Sequence, residues 1–295
     1  MLYIFLPLVF GYLIPISNDD TLKRINSHTN RLILVILSLM GLSLAGLDNL
    51  NQNLSQILKY TLVFFTSIGF FNLAVLPLID RFLPIKSENK KNKVPLTTMA
   101  LESLKLIVVV ALGLVVGLVI NIDLSWVDTA SEIILLLLLF LIGIQLRNSG
   151  LTLKQILVNK QGLSIAAAVI VSSLMGGVIA ALILDIPINY GLAMASGFGW
   201  YSLAGILMGD ALGPVYGGAS FMLELLRELV ALMLIPMIIQ RHPSTAIGYA
   251  GATAMDFTLP IIQNTGGIKC VPIAIVSGFI LSLLVPILML FFVSL

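Results

Sequence analysis

Charge is what this sequence has least of. Asp, Glu, Lys and Arg supply only 10% of its 295 residues, while hydrophobic residues supply 59%. Water-soluble domains run at about 25% charged and about 45–50% apolar, so this chain cannot clothe a folded surface for water, and lipid must be most of its solvent. A net charge of +2 leaves no basic excess to hold a nucleic acid. The lone cysteine, Cys270, excludes an intramolecular disulfide and reads as a small apolar residue near a helix start. His28 and His242 both fall in loops, with no HExxH pattern or cysteine cluster, so no metal site is expected. There is no phosphate-binding GxxxxGK[ST] loop and no Ser-His-Asp set. Those absences argue against an ATP-driven pump, an enzyme and a bound cofactor.

What is present is a series of long apolar runs. A helix needs roughly 17–25 apolar residues to cross a bilayer, and 1–16, 31–48, 57–80, 102–121, 132–147, 162–184, 219–240 and 270–294 meet that description. The first of these has neither a charged n-region nor a small-x-small cleavage site, so it reads as a retained helix rather than a signal peptide. Two further stretches, 188–212 and 246–266, are apolar but interrupted by Ala195-Ser-Gly-Phe-Gly-Trp-Tyr-Ser202 and Gly251-Ala-Thr-Ala-Met-Asp-Phe-Thr258. Lys and Arg concentrate in loops 17–30, 81–101 and 147–161, whereas loops 48–56, 122–131 and 185–189 carry Asp48, Asp123, Asp128 and Asp185 and no basic residue. The positive-inside rule then puts the N-terminus outside. Arg241 falls on the cytoplasmic side only if 188–212 turns back as a re-entrant hairpin. The expected fold is therefore all-α and polytopic, with about eight transmembrane helices plus two re-entrant or broken segments, and the C-terminus also outside.

The chain resembles itself. Gly11-Tyr-Leu-Ile-Pro15 parallels Gly117-Leu-Val-Ile-Asn121, Leu39-Met-Gly-Leu-Ser-Leu44 parallels Leu141-Ile-Gly-Ile-Gln-Leu146, and the two interrupted stretches parallel each other with one gap. The matching units start an odd number of spans apart, which predicts an inverted repeat: 1–80 completed by 246–294, and 102–240, joined by the basic loop 81–101. Broken helices at membrane depth must line a cavity or be buried in protein, and inverted repeats whose breaks meet near the midplane are the usual build of secondary transporters. Gly197, Gly199 and Gly251 permit the breaks, and Ser196, Ser202, Thr253 and Thr258 offer hydroxyls there. These are substrate-site candidates; the alternative is that small residues merely let helices pack closely.

Ionisable groups in the wrong solvent are the other signal. Glu224, Arg227 and Glu228 share one face of the run 219–240 by their spacing of three and four. Arg227 neutralises one carboxylate and leaves one in excess, and Glu228 is the deeper. Burial favours the protonated carboxyl and an arriving cation favours the ionised one, so such an acid could exchange H+ for a cationic substrate. Asp256, inside the second break, is expected to face a cation. Asp48 is on local grounds as compatible with a solvated helix end as with a transport pathway. Glu102 and Lys105 read as an interfacial pair, Asn72 and Asp80 are weaker candidates, and Trp200 and Tyr201 could serve cation–π contact or interfacial packing.

The run Ala193-Met-Ala-Ser-Gly-Phe-Gly-Trp-Tyr-Ser-Leu203 followed by Gly205-Ile, together with Ala252-Thr-Ala-Met-Asp-Phe-Thr-Leu-Pro260, resembles the bacterial lysine exporter LysO family. So do Ile142-Gly-Ile-Gln-Leu-Arg-Asn148, Ala100-Leu-Glu-Ser-Leu-Lys105, Asp185-Ile-Pro-Ile-Asn189 and Gly278-Phe-Ile-Leu-Ser-Leu-Leu-Val-Pro286, and the likeness covers nearly the whole chain. What it implies is export of L-lysine and lysine-like antimetabolites across the bacterial inner membrane in exchange for protons. It also implies that the functional acids fall on Asp48, in Leu-Asp-Asn-Leu, and Glu228, in Arg-Glu-Leu. The residues alone argue for a small cationic solute; an ion exchanger for Na+ and H+ and a non-transporting membrane receptor or scaffold are the alternatives. Oligomeric state is not legible.

Overall fold

The computed structural model describes residues 5–16, 18–46, 50–85, 96–119, 126–148 and 159–295; Asp48 lies outside them. Among the described residues the regular structure is entirely helical, as a backbone in lipid requires when it has no sheet to close. The long helices are α2 (Asp19–Ala45), α3 (Leu50–Phe82), α4 (Leu96–Val119), α5 (Trp126–Arg147), α6 (Lys160–Leu184), α9 (Pro214–Ile238) and α12 (Cys270–Val293), preceded by the short α1 (Phe5–Tyr12). Local chemistry sets several ends. Asn18 and Asn159 cap α2 and α6 with their side-chain oxygens, and Asp185 closes α6 in the left-handed region at φ 54°. Cys270 is the buried first residue of α12.

Among the described residues, four helices (α2, α3, α6 and α12) carry stretches long and apolar enough to cross a membrane, and the chain is a multi-pass membrane protein. The helix α9 is long enough too, but it holds Glu224, Arg227 and Glu228, all buried.

Each interrupted stretch is two short helices around a non-helical turn. The first consists of α7 (Ile188–Ala195) and α8 (Tyr201–Leu212). The second is α10 (Pro243–Ala250), a 3-10 turn over Gly251–Met255, and α11 (Leu259–Gly266). Both fold back on themselves. Tyr190, in the first turn of α7, has its ring centroid 5.7 Å from that of Tyr216 in the first turn of α9, and Tyr60 of α3 lies 5.4 Å from Tyr216. The exit of the first stretch thus lies beside its entry, against the N-terminal half of α3.

The second stretch is anchored at the other end of that helix. Asp80 accepts from the N–H groups of Ser244 (2.6 Å) and Thr245 (3.0 Å) and from the Thr245 hydroxyl (2.6 Å), an anion on the positive end of α10. His242 lies 3.9 Å from the same carboxylate. Gln240, just past α9, donates to the Thr265 carbonyl at the end of α11. From Tyr60 to Asp80 is roughly 30 Å of helix at about 1.5 Å per residue, so the two hairpins start from opposite ends of α3.

Packing pairs α1 with α5, α2 with α4, α3 with α6, and α8 with α9. The first hairpin sits on α6 through backbone contact: a Cβ added at Gly177 would lie 2.6 Å from the Gly191 carbonyl oxygen of α7. Gly177→Val should therefore lower stability by about 1–3 kcal/mol through overpacking. Gly69→Ala, where the new Cβ meets nothing within 4 Å, should leave stability unchanged or raise it by about 0.5–1 kcal/mol. Thermal denaturation of the detergent-purified variants, followed by fluorescence-detected gel filtration, checks both signs.

Candidate functional site

The two breaks meet. The Phe198 carbonyl accepts from the Ala252 N–H at 2.8 Å, joining the turn of the first hairpin to the 3-10 turn of the second. Three residues at this contact have positive φ: Phe198 (47°), Gly199 (97°) and Gly251 (67°). A Cβ at Gly251 would collide with the Phe198 carbonyl oxygen, so both backbone conformation and space demand glycine there.

Behind this contact runs α9, whose charged face supplies what the breaks lack. The Glu224 carboxylate accepts from the Gly199 N–H at 2.6 Å, just ahead of α8. Arg227 donates through Nε to the Tyr249 carbonyl at 3.2 Å and through Nη2 to the Gly248 carbonyl at 3.4 Å, in the last turn of α10. An anion thus faces the positive end of one half-helix and a cation the negative end of another. The two side chains are 3.9 Å apart, and the guanidinium lies 5.9 Å over the Tyr249 ring. The Glu224 carboxylate occupies the space a side chain at Gly197 would need, with Oε1 2.5 Å from the ideal Cβ position.

The hydroxyls of the breaks serve the backbone. Ser196 donates to the Leu192 carbonyl (2.8 Å), Thr253 to Ala250 (2.9 Å) and Thr258 to Thr253 (3.0 Å). Ser202 is buried in the first turn of α8.

Asp256 is placed differently. It follows the 3-10 turn, accepts at Oδ1 from the Phe257 N–H, and is exposed to a small cavity of about 90 Å³. Both breaks contribute to its wall through Trp200, Thr253 and Asp256, joined by Gln145 of α5 and Ser282 of α12. Gln145 donates both amide hydrogens to α2, to Asn26 Oδ1 (2.8 Å) and Thr29 Oγ1 (3.0 Å), which leaves its amide oxygen for the cavity. The wall around Asp256 is rich in acceptors and includes an indole, which suits a cation.

Other candidates lie elsewhere. Glu228 is buried one turn beyond Glu224 on α9 and is not part of the cavity wall. Tyr201 packs edge-on against Phe221 at 6.0 Å. Lys105 is exposed on α4, and the side chain of Glu102 lies outside the described residues. Asp80 caps α10, as above. Asn72 is fully buried and accepts from Ser172 at 2.6 Å and Ser173 at 3.3 Å. Gln145 and Ser282 are additions; the signal for Gln145 was a lone amide in an otherwise apolar run, Leu141-Ile-Gly-Ile-Gln-Leu146.

Residues 107–293 match the family model for the lysine exporter LysO. The chain is 55% identical over 293 residues to "Lysine exporter LysO" of Escherichia coli (strain K12), covering 99% of this chain and 98% of that protein. It is 47% identical over 190 residues to "Putative lysine exporter" of Haemophilus influenzae, covering 64% of this chain and 97% of that protein. No solved structure matches it.

The charged brace predicts a non-additive pair. Glu224→Leu or Arg227→Met alone leaves an uncompensated buried charge, and each should cost about 3–5 kcal/mol. The double replacement should cost clearly less than the sum of the two. Apparent melting midpoints of the four proteins test this; strict additivity would mean that the two charges do not act as a pair.

Proposed function

This chain belongs to the lysine exporter LysO family, and from that premise we propose that it is a secondary transporter that exports L-lysine and lysine-like analogues across the bacterial inner membrane in exchange for protons. What carries this reading beyond the relationship is the Asp256 carboxylate, at the tip of one hairpin and opening into a cavity that the other hairpin shares through Trp200.

Eight spans are proposed, α1 to α6 with α9 and α12, and the two hairpins enter from opposite faces, the first from outside. The anchoring of their ends at Tyr60 and Asp80 supports this. So does the pattern of partners expected of an inverted repeat. If α1–α3 with α10–α12 forms one unit and α4–α6 with α7–α9 the other, α1 on α5 exchanges with α4 on α2. In the same way α7 on α6 exchanges with α10 on α3, and α9 on α3 with α12 on α6. All six contacts occur. A site at the junction of two such units changes the face it opens to when one moves against the other.

In the proposed mechanism Asp256 and the Trp200 indole receive an ammonium group of lysine, and the Gln145 oxygen and Ser282 hydroxyl complete the polar wall. Glu224 and Arg227 hold the crossing rigid. Asp48 and Glu228 are the further acids that the family resemblance assigns to transport, with Glu228, buried on α9, as the group that exchanges a proton for the substrate's charge. No cofactor or metal enters the cycle; lysine, H+ and membrane lipid are the partners.

Radiolabelled lysine counterflow in proteoliposomes tests the reading. The wild type should accumulate label against preloaded lysine. Asp256→Asn should raise the half-saturation concentration by about tenfold or more, as expected when a charge-assisted hydrogen bond of about 1.5–3 kcal/mol is lost. Glu228→Gln and Asp48→Asn should abolish lysine uptake driven by a proton gradient. Absence of lysine counterflow in the wild type, with Na+ movement in its place, would establish the ion-exchanger alternative; flux intact in all three variants would reject the site.

A further inference from the structure

The Asp256 cavity is not the largest in the molecule. A cavity of about 230 Å³ lies between α2, α5 and α8, and its wall includes Asp210, Ser43 and Ser131 together with Gly205, Gly209 and Gly213. Asp210 is exposed and stands in the last turn of α8. That is an unfavourable place for an anion, because the helix dipole is negative there. The rest of α8 carries no charge.

The position of this cavity is complementary to the first. Gln145, on the wall of the Asp256 cavity, is tied to Asn26 and Thr29 near the start of α2, whereas Ser43 lies near the end of α2. Those two levels are roughly 25 Å apart at about 1.5 Å per residue. On α8, Asp210 is likewise about three turns from the crossing, toward Gly213 and Pro214 and the tyrosines that mark the entry of the first hairpin. The two cavities therefore sit on opposite sides of the crossed breaks, each with one aspartate on its wall.

We infer that the Asp210 cavity is the outer-facing binding site for the exported ammonium compound, the counterpart of the Asp256 cavity on the inner side. Its chemistry fits that class. The named wall offers a carboxylate and two hydroxyls and no basic residue, which attracts a primary ammonium and disfavours an anion. Close packing of α8 on α9, with Gly209 against Gly217, keeps bulky side chains away from this end of α8. A substrate leaving Asp256 would then meet a second acceptor of the same kind rather than an apolar barrier, and the assignment rests on the export reading.

The test measures lysine binding from each side separately, in right-side-out and inside-out vesicles containing the full chain. Asp210→Asn should raise the half-saturation concentration for lysine on the outer side by about tenfold or more while changing the inner value less than threefold. Asp210→Glu, which keeps the charge, should stay near wild type. An unchanged outer value, or equal changes on both sides, overturns the assignment. A second measurement does not depend on those variants folding. Ser131→Cys should react with a membrane-impermeant thiol reagent applied outside, and external lysine should slow the reaction; the native Cys270 is buried. Failure of lysine to protect it, in vesicles whose wild type shows lysine counterflow, overturns this site alone. A wild type with no lysine counterflow overturns the export reading, and this assignment with it.

Discussion

A polypeptide that stops being helical inside an apolar slab leaves N–H and C=O groups with nothing to bond, and each such group costs several kcal/mol in hydrocarbon. Two hairpins here stop at the same place, and the structure meets that cost with α9. Glu224 takes the Gly199 N–H, Arg227 takes the Tyr249 and Gly248 carbonyls, and the two turns bond to each other through Phe198 and Ala252. The serine and threonine hydroxyls at the breaks are directed at neighbouring carbonyls for the same reason. Everything else around the crossing follows: the glycines that admit a positive φ, the close approach of the Gly197 backbone to a carboxylate, and the burial of Glu224 and Arg227 on one helix.

A crossing braced from one side leaves room for a cavity on the other. Asp256 and Trp200 project from the two turns into a cavity closed by α5 and α12, while the brace lies on α9. In the proposed reading, charges that hold the backbone and charges that meet a solute are therefore different residues, although both kinds stand within the same few turns. In the proposed transport cycle this separation matters, because a carboxylate committed to a buried N–H is poorly placed to bind and release a cation. The Asp256 carboxylate, bonded to backbone N–H groups of its own turn, is better suited.

The helix α3 ties the arrangement together. Its N-terminal half holds the start of α9, where the first hairpin ends, through Tyr60 and through Thr61, which donates to the Ala219 carbonyl at 3.3 Å. Its C-terminal end holds the second through Asp80. One helix thus fixes the depth at which both turns meet, and a two-sided arrangement of cavities becomes possible along α2 and α8.

The sequence by itself determined the solvent, the helices and the breaks. Scarce charge excluded water as the main solvent, apolar runs marked the long helices, and Gly197, Gly199 and Gly251 marked where the chain turns. It also gathered Glu224, Arg227 and Glu228 on one face, because helical spacing is a local property. What it could not assign was which charge does what. The burial of an ion and the identity of its partner depend on segments far apart in the chain: Glu224 answers to Gly199, Arg227 to Gly248 and Tyr249, Asp80 to Ser244 and Thr245. Helical spacing placed Glu228 on the charged face of α9, where it is buried, but it could not show that the cavity wall takes its acid from Asp256, beside Gln145 and Ser282. Asp210 is the lone charge near the end of an apolar helix, and nothing in its own segment shows what it faces. Only the packing of α2, α5 and α8 gave it a cavity to face, because a cavity is a property of the space between helices and no single segment encodes it.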